Sequence, residues 1–286
     1  INVTMKKATI FLILFSIFGF ITAQSTDNQL QTIKTVKGNA LSADPNGNLY
    51  VVDGPLLYKF DSEGRFLHKY SNFLWGDITS IDVDNPLKIM VFYKNESQIL
   101  FLDKNLIPLM EPLDLYANNF KNIQLATYST DNTIWLYDAV LQDLINVNFQ
   151  LKELSRNHLS MGNFNPTQFF SIKEKQLIMF NPATGVVFFD AFGTYLKTIA
   201  LPTECPQISM DANSTYLYFI KSATNSTTDT NDTSRTQFMY YDYLIMDAHQ
   251  ICELENAGST SAPLFSKNNV WYIDTGARIQ KIEFIE

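Results

Sequence analysis

Cationic side chains, cysteines and histidines are all scarce in this sequence, and each scarcity weighs against a class of function. Lysine and arginine total 21 against 29 aspartates and glutamates in 286 residues. Neutralising a polyphosphate backbone or an anionic membrane requires clustered cations, so nucleic acid and acidic lipid are disfavoured as partners. The two cysteines, Cys205 and Cys252, are too few for a disulfide framework or a thiolate cluster. They stand 47 positions apart, about one repeat of the pattern described below. Two readings stay open for them: a disulfide, if a loop brings their Cα atoms within the ~7 Å that a bridge tolerates, or two buried free thiols.

Long apolar runs are also missing, with one exception at the N-terminus. Met5, Lys6 and Lys7 precede an almost unbroken apolar stretch over residues 8–22, which ends at Ala23 before Gln24, Ser25 and Thr26. A short cationic segment, an apolar run below the ~20 residues of a spanning helix and a small residue before a polar start are the layout of a secretory signal peptide. Cleavage is expected after Ala23, with Ile1 to Thr4 lying upstream of the true start. Residues 1–23 are therefore assigned to the leader and residues 24–286 to a single domain. Without the leader the chain keeps 19 cationic and 29 acidic side chains, a formal charge of about −10. Export predicts a periplasmic location, or a secreted one.

What the sequence does contain is a repeat. Its clearest copy spans residues 41–70: the turn Asp44-Pro45-Asn46-Gly47, the strand Asn48-Leu49-Tyr50-Val51-Val52-Asp53, a second strand Leu56-Leu57-Tyr58-Lys59-Phe60, and the turn Asp61-Ser62-Glu63-Gly64 leading into Arg65-Phe66-Leu67-His68-Lys69-Tyr70. The order returns around Leu177-Ile178-Met179-Phe180-Asn181 and Val186-Val187-Phe188-Phe189, followed by Asp190-Ala191-Phe192-Gly193. The shared Phe-Asp-x-x-Gly has a physical cause, since Asp can accept from the backbone two residues on and Gly supplies positive φ. Weaker copies centre on Asp103, Asn148 and Asp247. From Asp61 the steps are 42, 45, 42 and 57, and the long last step contains the Thr- and Asn-rich tract 223–235, read as a surface loop.

Self-similarity at this period is the signature of propeller blades. The strand before each landmark recurs as Lys88-Ile89-Met90-Val91-Phe92-Tyr93, Thr133-Ile134-Trp135-Leu136-Tyr137-Asp138, Tyr216-Leu217-Tyr218-Phe219-Ile220 and Asn269-Val270-Trp271-Tyr272-Ile273-Asp274, giving six copies. The last copy stops after its third strand. Residues 32–37, Thr-Ile-Lys-Thr-Val-Lys, are expected to supply the fourth and close the ring. The predicted fold is all-β: a six-bladed β-propeller of four-stranded antiparallel blades, the last closed by the N-terminal strand. A β-sandwich or an open solenoid is the competing architecture.

Candidate chemistry is sparse. His68, His158 and His249 fall on an outer strand, in a connection and in an outer turn of three different copies, which argues against a histidine metal site or triad. Walker loops, dinucleotide fingerprints, HExxH and Gly-x-Ser-x-Gly are absent. Asp53, Asp138, Asn181 and Asp274 end the second strand of four copies and are expected near one rim of the ring. Oxygen ligands so placed could hold a hard cation such as Ca²⁺. They also sit in ordinary turn sequences, and turn chemistry is the favoured reading. No metal and no cofactor is assigned. The aromatic residues, Trp135 and Trp271 at equivalent positions among them, read as blade packing.

The stretch from Asp44 to Asp53, Asp-x-x-Gly-Asn-Leu-Tyr-Val-Val-Asp, resembles the repeat of six-bladed NHL-type propellers, with only the first copy keeping the full pattern. In size, export signal and single-domain layout the chain is also similar to the periplasmic plug subunits of type IX secretion translocons. That resemblance implies a non-enzymatic interaction protein docked on an outer-membrane partner, blocking a channel. A Ca²⁺-dependent lactonase or hydrolase and a glycan-binding propeller are the alternatives.

Overall fold

The structure, a computed structural model, describes residues 29–33, 40–129, 131–162, 164–171, 176–201, 208–210, 216–222, 236–242, 247–254, 264–266, 270–274 and 279–283. Within them every element is a strand. After β1 (Gln29–Ile33), blade 1 comprises β2 (Ala40–Ala43), β3 (Leu49–Asp53), β4 (Leu56–Phe60) and β5 (Phe66–Ser71). Blade 2 comprises β6 (Ser80–Asp82), β7 (Ile89–Tyr93), β8 (Gln98–Leu102) and β9 (Leu113–Asp114). Blade 3 is β10 (Ile123–Tyr128), β11 (Ile134–Asp138), β12 (Asp143–Val147) and β13 (Glu153–His158). Blade 4 is β14 (Gln168–Ser171), β15 (Leu177–Asn181), β16 (Gly185–Phe189) and β17 (Tyr195–Ile199). Blade 5 is β18 (Ser209–Met210), β19 (Tyr216–Ser222), β20 (Thr236–Asp242) and β21 (Asp247–Leu254). Blade 6 has β22 (Leu264–Ser266), β23 (Val270–Asp274) and β24 (Ile279–Glu283).

The described residues thus form six four-stranded antiparallel sheets, five of them simple meanders in chain order. The sixth runs β22, β23, β24 and then β1, so the N-terminal strand completes the last blade. Inner strands touch between blades 1 and 2, 2 and 3, 3 and 4, and 5 and 6, blade 4 meets blade 5 through Gln168 and the Ile208 backbone, and β22 of blade 6 touches β2 of blade 1, which turns the array into a ring. Closure thus occurs as expected, and the strand that makes it is Gln29–Ile33, which takes in residues 32 and 33 of the expected segment; residues 34–37 lie outside the described residues. Ile33 sits opposite Ile279, the first residue of β24, and Gln29 opposite Glu283, its last.

Why these segments are strands follows from what covers them. Blades stack face to face, so a middle strand is buried on both sides and needs no polar alternation. Along β7, Ile89, Val91 and Tyr93 pack toward blade 1, whereas Met90 and Phe92 pack toward blade 3. Along β15, Leu177 and Met179 face blade 3 and Ile178 and Phe180 face blade 5. Each such side chain contributes about 1.5–3 kcal/mol by leaving water. Outer strands have one wet face, and β5 and β13 alternate accordingly between exposed and half-buried residues.

The landmark turns join the third and fourth strands. Asp61 Oδ1 accepts from the backbone N–H of Glu63 and Arg65 at 3.0 and 2.8 Å, and Asp190 Oδ1 from those of Phe192 and Thr194, both at 2.8 Å. Asp103 and Asn148 make the same pair of bonds. Three residues after each, φ is positive: Gly64, Leu106, Leu151 and Gly193. Two non-glycine residues therefore hold the left-handed conformation, where the carboxylate or amide bonds fix the turn around them. In blade 5 the expected landmark is displaced. Asp247 opens the strand β21, paired with Asp242, so the turn falls before it. His249 consequently lies within the outer strand, stacked on Tyr240, and His158 is likewise the last residue of an outer strand, not part of a connection.

Gly185, at the start of β16, has φ +102°, and a Cβ there would collide with the backbone carbonyl of Ile199 and stand 2.9 Å from Ala200 Cα. Substitution Gly185→Ala is expected to destabilise the fold by more than about 2 kcal/mol, because both the obstacle and the torsion belong to the backbone; urea denaturation of the purified variant measures it. Deleting residues 29–33 is expected to strip β24 of its outer partner, lower Tm by at least ~4–8 °C and promote self-association through the bared edge. Thermal melting and size-exclusion chromatography check both consequences.

Candidate functional site

In an antiparallel meander the 1–2 and 3–4 turns share one end, while the 2–3 turns and the blade-to-blade connections share the other. Asp53, Asp138, Asn181 and Asp274 end β3, β11, β15 and β23, so all four stand on the second of these faces, one to a blade. The described side chains among them do not converge. Asp138, 4% exposed, accepts from the N–H of Val140 and Leu141 at 2.9 Å each. Asn181 Oδ1 accepts from Ala183 N–H at 3.0 Å, and its Nδ2 has no partner among the described residues. Asp53 is half-buried beside Gly54, against which the Asp77 carboxylate packs. The side chain of Asp274 lies outside the described residues, and so do Cys205 and the side chain of Cys252. Among the described residues no group of three or more His, Cys, Asp or Glu gathers for a metal. Residues 1–23 and the tract 223–235 are also outside them, and no helix within them is long and apolar enough to cross a membrane.

Polar groups of the inner strands tie blade to blade. The Asp82 carboxylate, on β6, accepts from Thr127 Oγ1 and Tyr128 N–H on β10, both at 2.9 Å, and from Asp84 N–H at 3.2 Å. Burial pushes this carboxyl above its ordinary range, against the opposing effect of those three bonds. Gln168 on β14 makes a two-way bond with the Ile208 backbone, its Oε1 accepting at 2.8 Å and its Nε2 donating at 3.0 Å.

A different constellation forms at the outer edge of blade 3, on the face that Ile145 turns toward blade 2. Asp143, first residue of β12, stands opposite His158 at the end of β13. Its Oδ1 lies 3.1 Å from His158 Nδ1 and its Oδ2 2.8 Å from Arg156 Nη1. Arg156 also donates to Glu153, at 2.6 Å from Nη2, and bonding to Glu153 and then Asp143 raises the guanidinium further above its usual range. A carboxylate only accepts, so the neutral imidazole donates from Nδ1 and leaves Nε2 as an acceptor.

On the opposite face of the same outer strand, toward blade 4, opens a cleft of about 640 Å³, lined from blade 3 by residues 157–161 and Phe164, and from blade 4 by Thr184, Val187, Gly193, Thr194, Tyr195 and Thr198. Asn157 Nδ2 closes one end by donating to Phe192 O at 2.6 Å. Sequence reasoning placed His158 alone and passed over Asp143, since the pair is 15 residues apart. The signal that finds it is pairing register: the first residue of a third strand faces the last of the fourth.

No family model matches the chain, and no curated protein matches its sequence. Solved structures match its fold. A streptogramin B lyase superposes with a TM-score of 0.62 at 12% identity, covering 92% of this chain and 100% of that one. Catalytically inactive virginiamycin B lyase from Staphylococcus aureus with quinupristin gives 0.60 at 10% identity, over 90% of this chain and 100% of the other. The WD40 domain of Neurospora crassa Pan2 gives 0.54 at 7% identity, over 91% and 86%. At such identities the likeness extends to architecture alone. With the ring of four-stranded sheets it defines the class: the chain is a β-propeller.

Stability should carry the signature of Asp82. A carboxyl whose folded pKa is raised keeps its proton longer in the native state, so stability falls as pH rises from the ordinary aspartate range through the raised value. In Asp82→Asn this decline is expected to disappear, while the side-chain oxygen still accepts from Thr127 and Tyr128. The difference between the two stability–pH curves, taken from denaturant unfolding at several pH values, tests it.

Proposed function

We propose that this chain is an exported, non-enzymatic interaction protein that docks the face bearing its 2–3 turns and blade connections against an outer-membrane partner from the periplasmic side. The observation that carries the reading is a set of apolar side chains left in water on that face. In the connection from blade 1 to blade 2, Phe73 is 73% and Leu74 89% exposed, and in the 2–3 turn of blade 3, Val140 is 70% exposed beside exposed Leu141. Exposed Tyr116 stands between them in the connection from blade 2 to blade 3. Single exposed apolar residues are ordinary, but adjacent pairs at neighbouring loop tips mark surfaces that become buried in a complex.

The signal-peptide layout of residues 1–23 supports export, and the net acidity of the domain argues against anionic lipid as the docking surface. The finer form of the proposal, suggested by similarity in layout, is a plug seated at the periplasmic end of a type IX secretion translocon. A rigid ring suits that role, since it presents loops without ordering cost on binding.

The experiment is recovery of the full chain with outer-membrane complexes after crosslinking. Substituting Phe73→Ser with Leu74→Asp is expected to lower recovery by about tenfold or more while leaving Tm within a few degrees, as both side chains are solvent-exposed. A doubly substituted chain recovered as well as the wild type, or a wild-type chain that captures no outer-membrane protein, would overturn the proposal.

A further inference from the structure

We infer that the cleft between blades 3 and 4 is a binding site for a neutral saccharide, independent of the docking face. Among the described residues its lining contains no aspartate, glutamate, lysine or arginine. It does contain five hydroxyls, those of Ser160, Thr184, Thr194, Tyr195 and Thr198, together with the Asn157 amide, set among apolar Leu159, Met161, Phe164 and Val187. A sugar ring has the complementary make-up: apolar C–H faces bordered by neutral hydroxyls that both donate and accept. A charged ligand would find no counter-ion among the described lining residues, and Arg156, on the far face of β13, is bound to Asp143 and Glu153.

Two groups are held in position for such a ligand. Asn157 spends its Nδ2 on Phe192 O, which orients the amide and leaves its oxygen as an acceptor. Tyr195, 48% exposed, is braced edge-on against Phe189 and by its hydroxyl contact with Thr198 at 3.2 Å, and presents ring area at the mouth. A volume of about 640 Å³ lies within the ~300–1,000 Å³ usual for small-molecule sites, enough for two or three sugar units.

The test titrates maltotriose, cellotriose and chitotriose separately into the full chain, read by saturation-transfer NMR and by tryptophan fluorescence, since Trp135 lies directly behind Gly193 in the cleft wall. At least one trisaccharide is expected to bind with a Kd of about 1 mM or tighter. Tyr195→Ala and, separately, Thr184→Arg are each expected to weaken it by about tenfold, whereas Leu154→Ala, exposed on β13 but outside the cleft, leaves it within about twofold. Binding by none of the three sugars at about 10 mM, binding that both cleft variants leave unchanged, or tighter binding of a neutral tripeptide than of any sugar would each overturn the assignment. None of these outcomes depends on capture of an outer-membrane partner.

Discussion

Everything in this fold depends on sheets that are apolar on both faces and have to be covered on both. A blade alone would leave Met90 and Phe92 in water on one side and Ile89, Val91 and Tyr93 on the other. Stacking the next blade solves one side and recreates the problem one sheet further on, so the stack is satisfied only when it returns to its start. Closure by β1 on β24, and contact of β22 with β2, are the geometric form of that requirement.

The same requirement decides what polar groups do at the joints. A buried donor or acceptor has to find its partner within the joint, and the nearest one belongs to the adjacent blade. Lys59, 4% exposed, donates from Nζ to Lys104 O at 2.7 Å in the next blade, with its ammonium 5.2 Å from the centre of the Tyr50 ring. Burial lowers its pKa, partly offset by Asp44, whose own Oδ2 accepts from the Tyr50 hydroxyl at 3.0 Å. Asp82 and Gln168 perform the equivalent task near the axis. Titratable groups in such places hold blades in register, and their perturbed ionisation marks structure before chemistry.

How much of this could be read from the residues follows from the same physics. Middle strands were legible because double burial produces unbroken runs such as Ile89–Tyr93, and the third-to-fourth turns because an Asx side chain and a left-handed residue leave a spaced mark at Asp61 and Asp190. The mark fails at Asp247, where the inserted tract 223–235 destroys the spacing that located the others, and the aspartate that resembles the landmark begins a strand instead. The closing strand is harder to place for a further reason: in residues 29–37 the apolar Leu30, Ile33 and Val36 stand three apart, without the alternation of a strand, and it is the register against β24 that identifies Gln29–Ile33 as the paired segment. At the candidate site the limit is stricter. Asp138 and Asn181 recur because turns recur, whereas Asp143, Arg156 and His158 occur together once, and a single occurrence leaves no periodic trace.

That contrast indicates where activity can be accommodated in a repeated architecture. Near the axis, neighbouring blades are close enough for a side chain such as Gln168 to span the joint, so polar groups there are consumed by the ring. Sheets diverge with radius and the joint between them widens, so by the fourth strand it can no longer be filled by side chains of ordinary length. Between β13 and β17 Asn157 crosses it, and the remaining gap is the cleft. Departures from the repeat can accumulate at this radius, and on the loop tips, without disturbing the double burial further in. The groups free to meet another molecule are therefore the ones the period does not specify: Phe73 and Leu74 on one connection, Tyr195 and Thr184 beside one joint.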